Sequence, residues 1–226
     1  MYKLKTYQTS SDKLVTSKHP FYCLKNRDDN YGDLMEKLEK NIIKPKYVEL
    51  ENITTDDYIG YPIMKYNKDI ENLTYDDCIL YGILLVNNIL IDDNKLKIYN
   101  LDNLQMDKYL LSTNFIYNVE YINNYKIYKF NLNELNLHIL NLLEINNNEL
   151  IFNSKLLYLP LDKILKIIKG IHYGNNNIDI KKYEFYKSFN MNNIESIKFI
   201  LLRNSCGSIV KKKFINNYIY DIIYSS

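Results

Sequence analysis

Two groups of residues in this 226-residue chain have types and spacings that could do chemistry. The first is a pair of neighbouring asparagines at the end of each of two apolar runs, Asn87-Asn88 and Asn175-Asn176. An asparagine carbonyl can coordinate a divalent cation, although as a neutral group it is a weaker ligand than a carboxylate. The second group is a threonine and a histidine, Thr16 and His19, directly before a proline. Histidine is the side chain that enzymes most often use to transfer protons.

The elements that must position the asparagines are two apolar runs of helical length, Cys78 to Leu90 and Ile164 to Ile178. Each has a glycine in its middle, Gly82 or Gly170, and the second run has another at Gly174. Glycine inside a helix costs about 1 kcal/mol relative to alanine, and the whole chain contains only six glycines. The usual reason to keep a glycine there is that another backbone comes very close. We therefore expect the two helices to pack through their glycine faces, which would bring their asparagine ends side by side.

This pattern resembles the LAGLIDADG homing endonucleases, and within them the two-repeat nuclease domain found in inteins. The resemblance implies that the paired helices form the interface between two halves, with Gly82, Gly170 and Gly174 in that interface. It places the catalytic, metal-binding acids of the family at Asn87 and Asn175. It also implies double-stranded DNA as the partner and Mg²⁺ as the cofactor of an active enzyme.

Both acid positions are amides in this sequence, and this changes the functional expectation. Metal-dependent hydrolysis of DNA needs carboxylates to hold Mg²⁺ against the scissile phosphates. We expect site-specific double-strand cleavage to be lost or severely reduced, so that the chain is a degenerate homing endonuclease or an inactive DNA-binding remnant. Restored Mg²⁺-dependent cleavage in a variant that combines Asn87→Asp with Asn175→Asp would support descent from an active nuclease. If Asp92 or Asp179 supplies the ligand through a shifted register, the chain would instead cut DNA as it stands.

The order of predicted elements repeats along the second part of the chain. Each repeat is expected to contain a glycine helix, a strand pair, a second helix and a hairpin. Leu132 to Leu143 has the periodicity of a further amphipathic helix. A similar five-residue sequence recurs in the two predicted hairpins, at Tyr121 to Tyr125 and at Phe214 to Tyr218. Landmarks that recur in the same order indicate an internal repeat.

The predicted fold class is therefore α+β. We expect a pseudo-twofold LAGLIDADG endonuclease domain at 71–226, built from two αββαββα-like repeats at about 71–159 and 160–226. A small β-rich segment at 1–70 precedes it.

Basic residues on the strands are the expected DNA contacts. In such a pseudo-dimer the strands form a saddle whose concave face follows the major groove. Alternate residues of a strand lie on the same face. The candidate DNA-binding residues are Lys95, Lys97 and Tyr99 in the first repeat and Lys181, Lys182, Lys187 and Lys211 to Lys213 in the second.

The segment from Thr16 to Pro20 resembles the Thr-x-x-His motif of inteins and related Hint self-processing domains. The resemblance implies that His19 polarises a scissile amide and that Thr16 helps to position it. A hydrogen-bond donor held against an amide favours an acyl shift. The splice-junction residues of an intein are not in this sequence, so we expect that it does not splice as it stands. The alternative is a fragment of a split protein-splicing element, whose partners would be flanking intein or host-protein segments.

Composition limits the remaining classes of function. The formal net charge is +2, so the chain as a whole lacks the strong positive charge that is typical of many nucleic-acid-binding proteins. DNA binding would therefore need a local patch of basic residues. Three cysteines without Cys-x-x-Cys spacing argue against a zinc site and a disulfide framework. No apolar run approaches the ~20 residues of a membrane span. We expect an intracellular monomer, cytoplasmic or in the nucleoid or nucleus, without a membrane partner.

Overall fold

The structure, a computed structural model, describes ten stretches of the chain. These are residues 1–4, 13–25, 29–60, 65–100, 104–123, 125–174, 183–187, 191–203, 207–215 and 217–225. The chain divides into two units, Met1–Met64 and Lys65–Ser226. The predicted strand Ile178 to Ile180 and the predicted site residues Asn175, Asp179, Lys181 and Lys182 lie outside the described residues.

In its described residues, the first unit contains five short strands, one α-helix and a 3-10 helix at Leu50–Asn52. Its elements are β1 (Tyr2–Leu4), β2 (Lys13–Val15), β3 (Pro20–Leu24), α1 (Tyr31–Glu39), β4 (Lys46–Glu49) and β5 (Tyr58–Ile59). β1 pairs with β2, and β3 is the central strand of a β4-β3-β5 sheet. Cys23, Leu24 and Leu34 are buried in this unit. The assignment of this unit to a Hint domain stays a prediction.

The first half of the second unit follows the predicted order of elements. It contains α2 (Tyr75–Leu85), β6 (Asn88–Asp92), β7 (Lys95–Asn100), α3 (Leu104–Leu111), β8 (Tyr117–Ile122), β9 (Tyr125–Asn131) and α4 (Leu137–Leu140). The four strands form one antiparallel sheet in the order β6-β7-β9-β8. Asp93 and Asn94 join β6 to β7 with left-handed φ values of 49° and 58°, the conformation that two-residue hairpin turns require.

The second half repeats this order in its described residues. After a small hairpin of β10 (Ile145–Asn146) and β11 (Glu149–Leu150) come α5 (Leu161–Gly174), β12 (Tyr183–Lys187), α6 (Met191–Arg203), β13 (Gly207–Ile215) and β14 (Asn217–Ser225). The strand order β12-β14-β13 corresponds to β7-β9-β8 of the first half. The two halves therefore share a topology as well as an order of elements.

The predicted helix from Leu132 to Leu143 is wrong as a continuous helix. The structure has a 3-10 helix at Leu132–Glu134 and the four-residue α4 at Leu137–Leu140. An asparagine caps the start of each piece separately: the side chain of Asn131 accepts from the backbone N–H of Asn133, and that of Asn136 accepts from the backbone N–H of His138. Such local side-chain bonds compete with a continuous helix.

The apolar periodicity of that segment still reports burial. Leu135, Ile139 and Leu142 all lie in the core. The first glycine helix ends at Leu85, within the apolar run from Cys78 to Leu90, because β6 begins at Asn88.

The core of the second unit lies between the glycine helices and the inner face of the first sheet. Every residue of α2 from Asp77 to Leu85 is buried, and Ile164, Ile167 and Ile171 of α5 pack in the same cluster. In the described residues, no helix has both the length and the apolar character needed to cross a membrane.

Candidate nucleic-acid interface and helix-end site

The two glycine helices touch at their backbones. A Cβ atom added at Gly82 would lie 2.1 Å from the carbonyl oxygen of Ile167, and one added at Gly170 would lie 2.0 Å from that of Ile79. Each glycine thus faces the carbonyl three residues before the other glycine. This reciprocity is what an isologous contact between two equivalent parts produces. No side chain fits at either position.

Gly174 lies where the ends of the two helices meet. A Cβ atom added there would lie 2.4 Å from Cγ2 of Val86 and 2.8 Å from Nδ2 of Asn87. Gly174 is the last residue of α5, and Val86 follows the last residue of α2. The structure therefore brings together the three glycines that the sequence predicts for the interface.

Asn87, the predicted catalytic and metal-binding position of the first half, is turned into the protein. Its side-chain amide donates to the carbonyl oxygen of Ile83 at 2.8 Å and to that of Gly174 at 3.3 Å. Its Oδ1 accepts from Nδ2 of Asn100 at 2.7 Å. The residue is 6% exposed. Its hydrogen-bonding groups are thus directed at other parts of the second unit.

Asn100 and Met106 complete this polar cluster, and sequence reasoning missed both. Nδ2 of Asn100 also approaches Sδ of Met106 at 3.2 Å, and both residues are buried. A signal was present in the strand itself. Leu96, Ile98 and Asn100 alternate on the core side of β7, so the last of them is a polar group at a core position. A buried polar side chain needs a hydrogen-bonding partner.

A divalent cation does not fit at Asn87 in this arrangement. The Asn87 amide nitrogen, which cannot coordinate a cation, faces the helix ends, and the amide oxygen accepts a hydrogen bond from Asn100. The site is also buried, which excludes the water ligands that a divalent cation such as Mg²⁺ usually retains. The described residues contain no group of three or more His, Cys, Asp or Glu side chains that could hold a metal ion. Asp92, the alternative ligand, is exposed and forms an ion pair with Lys97 at 2.8 Å.

Acids on the neighbouring helices are held in structural hydrogen bonds. Tyr109 donates to Asp76 at 3.0 Å and stacks on Tyr173, with ring centroids 5.2 Å apart. Asp107 of α3 accepts from Tyr128 and from Lys126, the latter at 2.6 Å. Burial and the neighbouring carboxylates raise the pKa of Tyr109 and of Tyr128. These tyrosines are therefore neutral donors that tie α2 and α3 to their neighbours.

The face of the first sheet that points away from the core has the predicted basic residues. Leu96, Ile98 and Asn100 are buried, so Lys95, Lys97 and Tyr99 lie on the opposite face of β7. The register adds a lysine that the sequence reasoning missed, because Lys97 is the direct cross-strand partner of Lys129 on β9. We call this surface of β6, β7, β9 and β8 the outer sheet face.

Acids neutralise much of the basic charge on the outer sheet face. Asp92 pairs with Lys97, and Glu120 pairs with Lys129. The hydrogen bond and charge of each lysine lower the pKa of its acid partner, so both acids are ionised at neutral pH. Among the described residues, Lys95 is the lysine of this face for which no acid partner is found within ion-pair distance.

A surface cavity of about 310 Å³ opens at the edge of the outer sheet face. Its lining includes Tyr99 and Tyr125 together with Asn88, Asn147 and Asn148. Asn147 and Asn148 form the turn between β10 and β11, and the carbonyl of Asn148 accepts from the backbone N–H of Ile89. The small hairpin thus lies beside β6, next to the chain segment that carries Asn87.

The candidate lysines of the second half fall on two strands. Lys187 lies on β12, and Lys211 and Lys213 lie on β13. Across the sheet, Lys187 opposes Tyr220, which in turn opposes Lys212, whereas Lys211 opposes Asp221. Lys187 shares a row with Lys212, and this row alternates with those of Lys211 and Lys213.

Thr16 and His19 lie in the first unit, in the turn between β2 and β3. The backbone N–H of His19 donates to the carbonyl oxygen of Thr16 at 3.2 Å. The His19 ring lies edge-on to Phe21, with centroids 5.0 Å apart, and both Thr16 and His19 are exposed. The motif thus forms one tight turn at the start of an antiparallel strand.

Two halves of corresponding strand order in the described residues, joined by a reciprocal helix contact, form an architecture that is similar to the fold of a homing endonuclease. No protein-family model matches the sequence, and no curated protein matches it. Among solved structures, mesophilic variants of the homing endonuclease I-DmoI superpose with a TM-score of 0.51 at 10% identity, covering 69% of this chain and 90% of that chain.

Two further solved structures of the same endonuclease are similar to this chain. The complex of I-DmoI with DNA and Ca has a TM-score of 0.51 at 11% identity, covering 69% of this chain and 85% of that chain. A variant of I-DmoI with its target DNA in the presence of Mg has a TM-score of 0.51 at 11% identity, covering 69% of this chain and 92% of that chain. At 10–11% sequence identity, the structural similarity establishes that this chain shares the fold of I-DmoI and nothing beyond it.

Proposed function

We propose that this protein is a site-specific double-stranded-DNA-binding protein of intein-derived LAGLIDADG homing-endonuclease type, in which metal-dependent DNA cleavage is lost or severely reduced. The observation that supports it most is the reciprocal contact of Gly82 and Gly170 between two halves of the same strand order. The I-DmoI structures of this fold include complexes with DNA and with target DNA.

The outer sheet face is the proposed DNA-binding surface. A twisted antiparallel sheet with alternating outward residues can follow the major groove and reach base edges. Lys95, Lys97 and Lys129 supply positive charge for phosphates, and the tyrosines and amides around the cavity supply donors and acceptors for base edges. The described part of this face has only a small excess of positive charge. We therefore expect a modest contribution from phosphates and a larger one from base contacts.

The proposed loss of cleavage rests on the residues at the helix ends. In the I-DmoI structures, Ca, Mn and Mg accompany DNA. Hydrolysis of a phosphodiester with Mg²⁺ needs carboxylate ligands that neutralise and position the ion. In this chain the corresponding residues are Asn87 and Asn175, and Asn87 is buried in a hydrogen-bonded cluster. The inactive DNA-binding protein is thus favoured over the active nuclease.

DNA binding is tested by selection from a randomised duplex library, followed by affinity measurements over a series of salt concentrations. The informative variant combines Asp92→Asn with Glu120→Gln, which frees Lys97 and Lys129 to contact phosphates. Its affinity should rise, and the slope of log K against log salt should become steeper by about one to two.

The matched control for this variant is Glu71→Gln, which removes an exposed acid from the turn before α2. It should leave both the affinity and the slope close to those of the unmodified protein. Failure of the protein to enrich any duplex, or an equal effect of Glu71→Gln, would contradict the proposed surface.

Cleavage is tested on a plasmid that carries the selected site, with Mg²⁺ or Mn²⁺ added. We expect binding without linearisation of the plasmid. Linear product at the selected site would show that the protein is an active endonuclease, and the degenerate assignment would then be abandoned while the DNA-binding assignment stands.

The intein origin is supported by the turn that contains Thr16 and His19 at the start of β3. A fusion that places a cysteine-bearing splice-junction segment ahead of Met1 tests it, because a thiol such as dithiothreitol releases the upstream protein from an activated thioester. Release that depends on His19 and is lost in His19→Ala would support the self-processing origin. Equal release from both proteins, or none from either, would count against it.

A further inference from the structure

The ends of the two glycine helices are joined by one side chain. Asn87 lies two residues beyond the end of α2, and it reaches both the carbonyl of Ile83 in its own helix and the carbonyl of Gly174 at the end of α5. The last carbonyls of a helix have no partner within the helix and must be satisfied from outside. Asn87 donates to one such group on each helix, and it shares the carbonyl of Ile83 with the backbone N–H of Val86.

The chemistry of these contacts fixes the orientation of the amide. A backbone carbonyl can only accept a hydrogen bond, so the atom of Asn87 that faces Ile83 and Gly174 must be the nitrogen. The oxygen then faces the third partner, Nδ2 of Asn100, at 2.7 Å. Both donor hydrogens of the Asn87 amide are thus used and its oxygen accepts one hydrogen bond, in a position that is 6% exposed.

The glycine at the end of α5 makes this reach possible. Any side chain at position 174 would place its Cβ 2.8 Å from the Asn87 nitrogen and 2.4 Å from a methyl group of Val86. Gly174 and Asn87 are therefore complementary, since the first removes the volume that the second fills.

We propose that Asn87 is a neutral lock that holds the C-terminal ends of the two glycine helices to each other and to β7, and that this position requires an amide and excludes both a carboxylate and a divalent cation. A carboxylate has no hydrogen to donate, and it would set an anionic oxygen against two carbonyl oxygens in a buried site. An unpaired buried charge of this kind is strongly destabilising. The lock concerns the position that the proposed function treats as a former metal site, and it predicts that restoring the acid at 87 disrupts the helix ends.

The first test uses the unmodified full-length protein. In an NMR spectrum the two side-chain amide protons of Asn87 should exchange slowly with solvent and show a nuclear Overhauser effect to Gly174. Those of Asn88, which is adjacent and exposed, should exchange rapidly. Addition of millimolar Mg²⁺ should leave the Asn87 signals in place. Exchange of Asn87 as rapid as that of Asn88, or a selective shift on addition of Mg²⁺, would overturn the lock.

The second test compares Asn87→Asp with Asn88→Asp, which introduces the same charge one residue further along. We expect Asn87→Asp to lower the folding equilibrium constant by about tenfold or more, and Asn88→Asp to leave it unchanged, with or without Mg²⁺. Equal stability of the two variants would overturn the lock. So would a rise in the unfolding midpoint of Asn87→Asp on addition of Mg²⁺, because a bound ion stabilises the folded state.

If Asn87→Asp yields no folded protein, the exchange measurement on the unmodified chain decides the question alone. Neither test involves DNA. A failed lock with intact DNA binding, or the reverse, therefore separates this inference from the proposed function.

Discussion

Gly82 and Gly170 show how a single missing Cβ atom can determine the packing of a domain. An added Cβ at either position would meet a backbone oxygen at 2.1 or 2.0 Å, and backbone cannot rotate away as a flexible side chain can. The helices would have to move apart along their whole contact. Packing contacts of Ile79, Ile83 and Ile167, which are buried at the same helix crossing, would also be lost.

Gly170→Ala should therefore destabilise the second unit by about 3 kcal/mol or more, because overpacking at a backbone contact outweighs the gain in helix propensity of about 1 kcal/mol. Denaturant unfolding followed by circular dichroism measures this loss. Gly32→Ala in α1 is the matched control, since its Cβ would lie 3.4 Å from Oδ1 of Asn30 at ordinary contact distance. It should be neutral or stabilise the protein slightly. Equal effects of the two substitutions would rule out the close helix contact.

The N-terminal end of α2 is fixed as firmly as its C-terminal end. Thr74 and Asp77 form a capping box, in which the Thr74 side chain accepts from the Asp77 N–H while Asp77 accepts from the Thr74 N–H. Asp77 also accepts from Nδ2 of Asn136 at 2.7 Å, which ties the helix to the segment before α4. An acid in the first turn also interacts favourably with the helix dipole. The position of the glycine face therefore depends on both ends of the element.

Asp77→Ala should lower the free energy of unfolding of the second unit by about 2 kcal/mol, because it removes the carboxylate half of the capping box and leaves the Thr74 and Asn136 donors without this acceptor. Chemical denaturation is the measurement. Glu71→Ala, which removes an exposed acid from the preceding turn, should have little effect. A loss in Glu71→Ala as large as that in Asp77→Ala would show that general charge, and not the cap, stabilises this helix.

At the scale of the whole molecule, the second unit has a core of its own. The buried cluster that includes both glycine helices and the inner face of the first sheet runs from Leu73 to Leu201, entirely within Lys65–Ser226. Cys78 lies inside it and is 1% exposed. Burial raises the pKa of the Cys78 thiol to about 12, so its reactive thiolate is scarce at neutral pH in the folded state.

Residues 65–226 expressed alone should therefore fold, and Cys78 should resist a thiol-alkylating reagent. Cys206→Ser makes Cys78 the sole cysteine of this fragment, so that the modified fraction reports on one site. The same fragment in denaturant is the control, and there Cys78 should react fully. Rapid modification without denaturant would mean that the second unit does not fold on its own.

Local constraints made the central part of this fold predictable from the sequence. Glycine in an apolar helix is costly, so Gly82, Gly170 and Gly174 predict a close helix contact from the sequence alone. Alternation along β7 likewise placed Lys95, Lys97 and Tyr99 on one face. Both are properties of short segments, which a pattern of residue types can express.

Partners distant in the chain were decided only by the tertiary structure. The continuous helix predicted from Leu132 to Leu143 is broken by asparagine caps that apolar periodicity does not detect. The pairing of Lys129 with Glu120 depends on cross-strand register, which sequence reasoning did not assign. Most importantly, the sequence indicates Asn87 as a candidate catalytic position, but its side chain points inward in the structure. That orientation depends on the carbonyl of Gly174 and the side-chain amide of Asn100, which only the folding of the whole unit brings to Asn87.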